Sequence, residues 1–349
     1  MLALPFAAVS RQASDGARTF LGRRLPLSEA DLARTERGEP VVHTLDAADP
    51  REIAILGVVY LRIAPARYVE RLAGIAAFKK EEAAVLQIGT VSEPAQPGDL
   101  AGLTLAPSDV SSLADCTVGD CDVQLSAAAI ERFRREVDWN SPHAENDANA
   151  LMRRLLAESA EHYRARGAAG LMEYADRSER VSLAREFRDL VADDIGVLSQ
   201  FPALHRYLLE YPAVDVSRTR DLIYWSKEDL GPRVVVSLTH LVIHQTGGGS
   251  AVEYAVASKQ IYGSHYFDAS LGLTLLLPDR KDGREAVYLV YLNRSRLDAL
   301  GGFFGSIKRR VVRSKARGAM EEYLGRLKTR LERESRITNH LVANRHFKD

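Results

Sequence analysis

From Asp221 to Leu292 the chain repeats one pattern: a run of β-branched, aromatic and aliphatic residues, then a short turn. Asp221–Trp225, Val234–His244, Val252–Phe267, Leu271–Leu277 and Ala286–Leu292 are strand-like, and Gly247-Gly248-Gly249 and Asp282-Gly283 supply hairpin turns. Strands joined by turns this short must pair antiparallel, because a parallel neighbour needs a long crossover. A helix is expected next, over Ala316–Glu334, with Met320, Tyr323, Leu324, Leu327 and Leu331 in one apolar stripe. Such a stripe has to be buried, and the sheet is the surface the chain provides. The fold class that follows is α+β: a curved antiparallel sheet gripping a long C-terminal helix.

Upstream the pattern is mixed. Ile53–Ile63 is an almost continuous apolar strand, and Pro65 then opens a helix over Ala66–Ala77. Val85–Ile88, Leu103–Leu105 and Asp122–Leu125 read as short strands, and residues 93–99 as a Pro- and Gly-rich loop. The middle is helical: Ala127–Val137 behind a Ser126 cap, Leu151–Arg166 ended by Gly167, Gly170–Ala175, Val181–Val191, and Phe201–Leu209 before Pro212. The expected organisation is one domain over 39–340 with a helical insertion at about 127–210, preceded by an arm (1–38) with a short helix at Ser28–Arg37.

At 349 residues the chain is long enough for one large domain or two smaller ones. Lys plus Arg and Asp plus Glu both number 47, so there is no basic footprint of the kind a nucleic-acid partner requires. No apolar run approaches the roughly 20 residues of a membrane span. Leu2–Val9 is apolar, and Ala8 and Ser10 are small residues at signal-peptidase spacing, so export to a periplasmic or extracellular compartment is expected. No basic segment precedes that run, and the alternative is a cytoplasmic protein with an N-terminal arm. The two cysteines stand in Cys116-Thr-Val-Gly-Asp-Cys121. In an oxidising compartment they read as a local disulfide; otherwise as two thiols. A metal site there lacks further ligands nearby.

The strands carry polar and aromatic side chains at high density: Tyr224, Trp225, His240, Lys259, Tyr262, His265, Tyr266, Tyr288, Asn293 and Arg294. Residues of equal parity share a strand face, which would put Tyr254, Tyr262, Tyr266 and Asp268 on one side and Lys259 and His265 on the other. They would line a cavity of hydrogen-bonding groups, or else cover a solvent-facing sheet. His240 and His244 resemble a metal pair, but in a strand their Cα atoms stand about 13 Å apart. There is no Gly-x-Ser-x-Gly, no phosphate-loop lysine beside Gly247–Ser250 and no Gly-x-Gly-x-x-Gly, so no cofactor is expected. Lys308–Arg317 holds six basic residues in ten at the helix entrance. Lys308, Arg309, Arg310 and Arg313 would either touch an anionic membrane or form a solvated face.

The strand set followed by NRSRLDALGGFFGSIKRRVVRSKARGAMEEYLGRLKTRLE resembles the C-terminal part of START-like proteins, the helix-grip superfamily that includes polyketide cyclases, and here a bacterial group of it. The resemblance covers about 215–335. It implies a hydrophobic cavity between sheet and C-terminal helix, gated by Ala299–Ile307 with Phe303 and Phe304. The implied ligand is a hydrophobic or amphipathic molecule such as a lipid. No catalytic residue carries over. Two other readings stand beside it: an enzyme using His240 or His265 as acid/base with Lys259 as partner, and a cell-envelope interaction protein without ligand.

Overall fold

The structure, a computed structural model, describes residues 16–96, 98–193, 196–300 and 305–345. It is an α+β fold built on a curved, fully antiparallel eight-stranded sheet. The strands are β1 (Val41–Leu45), β2 (Glu52–Leu61), β3 (Val85–Val91), β6 (Thr219–Asp229), β7 (Val234–Gln245), β8 (Tyr254–Gly263), β9 (Phe267–Lys281) and β10 (Arg284–Leu297), in the order β1-β2-β10-β9-β8-β7-β6-β3. A small ribbon of β4 (Glu173–Tyr174) and β5 (Val181–Ser182) stands apart. The last five long strands form the expected meander. Asp282 and Gly283 turn β9 into β10 with φ of 53° and 74°, the left-handed pair that a two-residue hairpin matched to strand twist demands. The meander closes when β10 pairs with β2 from Val287↔Leu61 to Arg296↔Glu52.

The helices are α1 (16–24), α2 (Glu29–Glu36), α3 (Pro65–Ala73), α4 (Ile75–Lys79), α5 (Pro107–Asp115), α6 (Ala127–Glu136), α7 (Ala144–Arg166), α8 (Leu183–Ala192), α9 (Pro202–Glu210) and α10 (Gly305–Arg345). They cover both faces of the sheet. On the front face, α3 and α4 carry the chain from β2 to the far edge strand β3, and α10 lies along β2. Its Met320, Leu324, Leu327 and Leu331 pack with Ile53, Ile55, Val59, Leu241, Leu276 and Leu289. Gly57 lets the helix approach: a Cβ there would stand 2.6 Å from Leu324 Cδ1. On the back face, α1, α2, α8 and α9 share one core with β2, β9 and β10, and α5–α7 share another with β6–β8. β2 is buried along its whole length because it lies between these layers.

Several expectations change. Residues 16–38 are folded, with Ala17, Leu21 and Leu32 fully buried and Ser28 capping α2 through a capping box, so they are part of the domain rather than an arm. Leu103–Leu105 and Asp122–Leu125 form no strand, Gly167–Gly170 is a 3₁₀ turn followed by the strand Glu173–Tyr174 in place of the helix expected over Gly170–Ala175, and Val41–Leu45 is an additional edge strand. The single strand expected over Val252–Phe267 breaks at Ser264–Tyr266, where Tyr266 takes φ 68°. The C-terminal helix starts at Gly305, so the basic run lies inside it and not at its entrance. Of the expected Ala299–Ile307 loop, residues 301–304, with Phe303 and Phe304, fall outside the described residues, and Gly305–Ile307 belong to the C-terminal helix.

Leu324 is fully buried and seats α10 over Gly57, whereas Ile337 on the same helix is 55% exposed. Leu324→Ala should lower the free energy of unfolding by about 3 kcal/mol, and Ile337→Ala by less than about 0.5 kcal/mol, in urea titrations.

Candidate functional site

The front face divides along its length. At one end its inward residues are aliphatic and share a core with α3, α4 and α10: Leu241 and Ile243 on β7, Val256 on β8, Leu276 on β9, Val287 and Leu289 on β10. Farther along the same strands the same face carries Ser237, Thr239, Ser258, Gln260, Ser270, Gly272 and Asn293. These, with Tyr224, Tyr291, Val235, Leu230 and Phe267, line an open cavity of about 140 Å³. Lys79, at the end of α4, closes one wall against Glu228 of β6.

The charges in this wall are matched. Lys79 Nζ donates to Glu228 Oε1 at 2.9 Å, stands 4.0 Å from Glu82 Oε2, and lies 5.7 Å above the Tyr224 ring. Burial disfavours the Lys79 ammonium, but the surrounding Tyr224, Glu228 and Glu82 outweigh it and raise its pKa. Burial raises Glu82, reinforced by Glu228, whereas at Glu228 the contact with Lys79 prevails over burial and holds the carboxylate ionised. One cation therefore meets one carboxylate, and the second carboxyl is pushed toward its neutral form. Hydroxyls fix the rest of the lining: Ser226 with Ser237 at 3.2 Å, Ser270 with Ser295 at 2.8 Å, and Ser295 Oγ donating to Asn293 Oδ1 at 3.0 Å.

Among the described residues, the ligand-binding candidates that line this cavity are Tyr224 and Asn293. Trp225, His240, Lys259, Tyr262, Tyr288 and Arg294 belong to the back face, and His265 and Tyr266 to the β8–β9 turn. Parity misled at β8 because a bulge lets Leu238 face Tyr262 while Thr239 faces Gln260. The extra residue turns Tyr262 to the side of Lys259 and His240, away from Tyr254. Phe303 and Phe304 lie outside the described residues. Lys308, Arg309, Arg310 and Arg313 ride on the first turns of α10, with Lys308 and Arg310 exposed.

The back-face residues form three buried groups. In the first, Asp221 Oδ2 accepts from His240 Nε2 at 2.6 Å and from Tyr207 at 3.0 Å, which leaves Nδ1 to accept from Tyr163 at 2.9 Å. Burial lowers the His240 pKa in spite of Asp221, so the ring is neutral at pH 7; at Asp221 these hydrogen bonds prevail over burial and keep the carboxylate ionised. Lys259 lies beside this relay with its Nζ 4.0 Å above the Phe187 ring and 5.1 Å above that of Tyr163. It makes no ion pair among the described residues, only a long contact to the Leu208 carbonyl at 3.4 Å, and burial lowers its pKa to about 7.

The second group surrounds the disulfide. Cys116 and Cys121 are bonded, with Cα atoms 4.6 Å apart, and their loop hydrogen-bonds to Ala175 and Asp176. Close by, His265 Nε2 contacts Asp109 Oδ1 at 3.1 Å, and Tyr174 donates to the Gly263 carbonyl at 3.0 Å. The third group is ionic. Arg294 binds both oxygens of Glu52 at 2.6 and 3.0 Å and the Leu190 carbonyl at 2.6 Å, while Arg296 reaches Glu186 and Asp193. Tyr288 donates to Glu36 at 2.7 Å and packs edge-on to Tyr60, and Trp225 donates to the Asp99 carbonyl at 2.8 Å over Gly89. Each of these side chains is occupied in tying a helix or loop to the sheet.

The cavity residues passed over in the sequence, Lys79, Glu228, Ser237, Ser258 and Ser270, are small or ordinary. Their signal was positional: a row of hydroxyls and amides at one end of a strand face that is aliphatic at the other. No group of three or more His, Cys, Asp or Glu able to hold a metal occurs among the described residues, and no helix there is long and apolar enough to cross a membrane. No family model matches the chain, and no curated protein matches it.

The Lys259 ammonium is favoured in the unfolded chain, where its pKa is near 10.5, over the folded one, where it is about 7. Between these values the unfolded state binds more protons, so stability rises with pH there, by at most about 1.4 kcal/mol per pH unit. Lys259→Met should be more stable than the parent at pH 7 and lack this rise. Urea titrations across the pH range check it; parallel curves for the two proteins would refute the assignment.

Proposed function

We propose that the protein binds a small amphipathic molecule on the front face, in the open cavity that the C-terminal helix leaves uncovered. The observation that carries this reading is an open cavity on that face in which hydroxyl and amide groups stand beside Leu230, Val235, Phe267, Tyr224 and Tyr291. Pockets that combine apolar walls with a few convergent polar groups are the usual form of ligand sites. The resemblance to START-like proteins points the same way, since a lipid-like ligand between sheet and C-terminal helix is what that resemblance implies. His240 and His265 do not serve such a ligand, because they lie off the cavity and are buried against Asp221 and Asp109. The disulfide supports export to an oxidising compartment, and the exposed Lys308 and Arg310 would there face an anionic surface.

Native mass spectrometry of the purified protein should find a bound small molecule, or uptake of an added octyl amphiphile. Ser258→Phe places a ring in the cavity and should weaken uptake at least about tenfold, the equivalent of some 1.4 kcal/mol. Retention undiminished in this variant, with its melting temperature unchanged, would move the ligand elsewhere. Export predicts a mature N-terminus downstream of Ser10 when the protein is taken from its host and sequenced.

A further inference from the structure

We infer that the ligand's head is uncharged and polyhydroxylated, a sugar ring or a polyol of similar size. This rests on the binding reading above and names the chemistry the site selects. The first argument is charge. Among the described residues, the charged ones lining the cavity are Lys79 and Glu228, and they are paired with each other at 2.9 Å. A phosphate, sulfate or carboxylate would have to take Lys79 from Glu228 and leave that carboxylate half-buried and unpaired; an ammonium would have to do the reverse. Neither anion nor cation finds a free partner in this lining.

The second argument is the kind and placement of the hydrogen-bonding groups. Ser237, Thr239, Ser258, Gln260, Ser270 and Asn293 all carry hydroxyls or amides, which both donate and accept. That is the complement a ring of hydroxyls needs, since each hydroxyl also does both. The six come from four adjacent strands, β7 to β10, on one face. Neighbouring strands lie about 4.8 Å apart, close to the separation of alternate hydroxyls on a pyranose ring, so one ring bridges two neighbouring strands at a time. Tyr224 and Tyr291 add aromatic walls against which the C–H faces of such a ring can pack.

The third argument is size. A volume of about 140 Å³ corresponds to roughly five water molecules at ~30 Å³ each. It holds the greater part of one ring and no acyl chain, so any apolar tail lies outside it.

Three probes with one tail and different heads test this on the full chain at pH 7, by calorimetric titration below their micelle concentrations: octyl β-glucopyranoside, octyl phosphate and octyltrimethylammonium. The glucoside should bind at least about tenfold tighter than the other two. It should lose about tenfold in whichever of Ser258→Val or Asn293→Leu keeps the parent melting temperature, as the loss of one or two hydrogen bonds implies. If the phosphate or the ammonium binds as tightly as the glucoside and remains sensitive to the same variant, the head assignment is wrong while the site stands. If no probe binds, or binding ignores both variants, the site itself is wrong.

Discussion

The pairing of the first long strand with the last is the contact on which the rest of the molecule depends. β2 and β10 are joined over ten residue pairs although more than 220 positions separate them in the chain. Everything between has to be folded in place for that ladder to form. The ladder is reinforced from the back by ions: Glu52 of β2 holds Arg294 of β10 bidentately, and Arg294 and Arg296 reach the carbonyl of Leu190 and the carboxylates of Glu186 and Asp193, on or just after α8. Two buried guanidinium groups are tolerable only because carboxylates and carbonyls surround them. This arrangement fixes where α8 sits, and with it the back wall beneath Lys259.

Burial of both sheet faces then separates structural polarity from accessible polarity. On the back, polar side chains are paired with helices and loops: His240 with Tyr163 and Asp221, His265 with Asp109, Tyr288 with Glu36, Trp225 with the Asp99 carbonyl. Such groups define how the helical layer docks. On the front, α3, α4 and α10 cover only part of the face, and the uncovered part is where hydroxyls and amides meet open space. The Lys79–Glu228 pair sits at the boundary and neutralises the charges of the described lining.

Tyr262 and Lys259 depart from this: among the described residues, the Tyr262 hydroxyl is buried without a hydrogen-bond partner, and Lys259 has no carboxylate. Aromatic rings and one distant carbonyl are its company. A buried lysine without a carboxylate costs stability at neutral pH. Its neighbours Tyr163, Phe187 and His240 belong to three different elements, so the cost falls on a junction of α7, α8 and the sheet.

How much of this was legible follows from which physical signals are local. Strand alternation, the Asp282-Gly283 turn, the Ser28 and Ser126 caps and the apolar stripe of α10 are local. They determined the meander, its antiparallel sense and the existence of a covering C-terminal helix. The spacing of Cys116 and Cys121 around a tight turn likewise determined that the two sulfurs could meet. Which face each strand residue occupies is not local. One extra residue at Ile261 moved Tyr262 to the other side, and no pattern within β8 announces a bulge. The partner of β2, the layer that hides His240 and Lys259, and the row of small hydroxyls left open beside Lys79 depend on contacts between segments far apart in the chain. Tertiary structure alone decided them, because burial is a property of what packs against a residue and not of the residue itself.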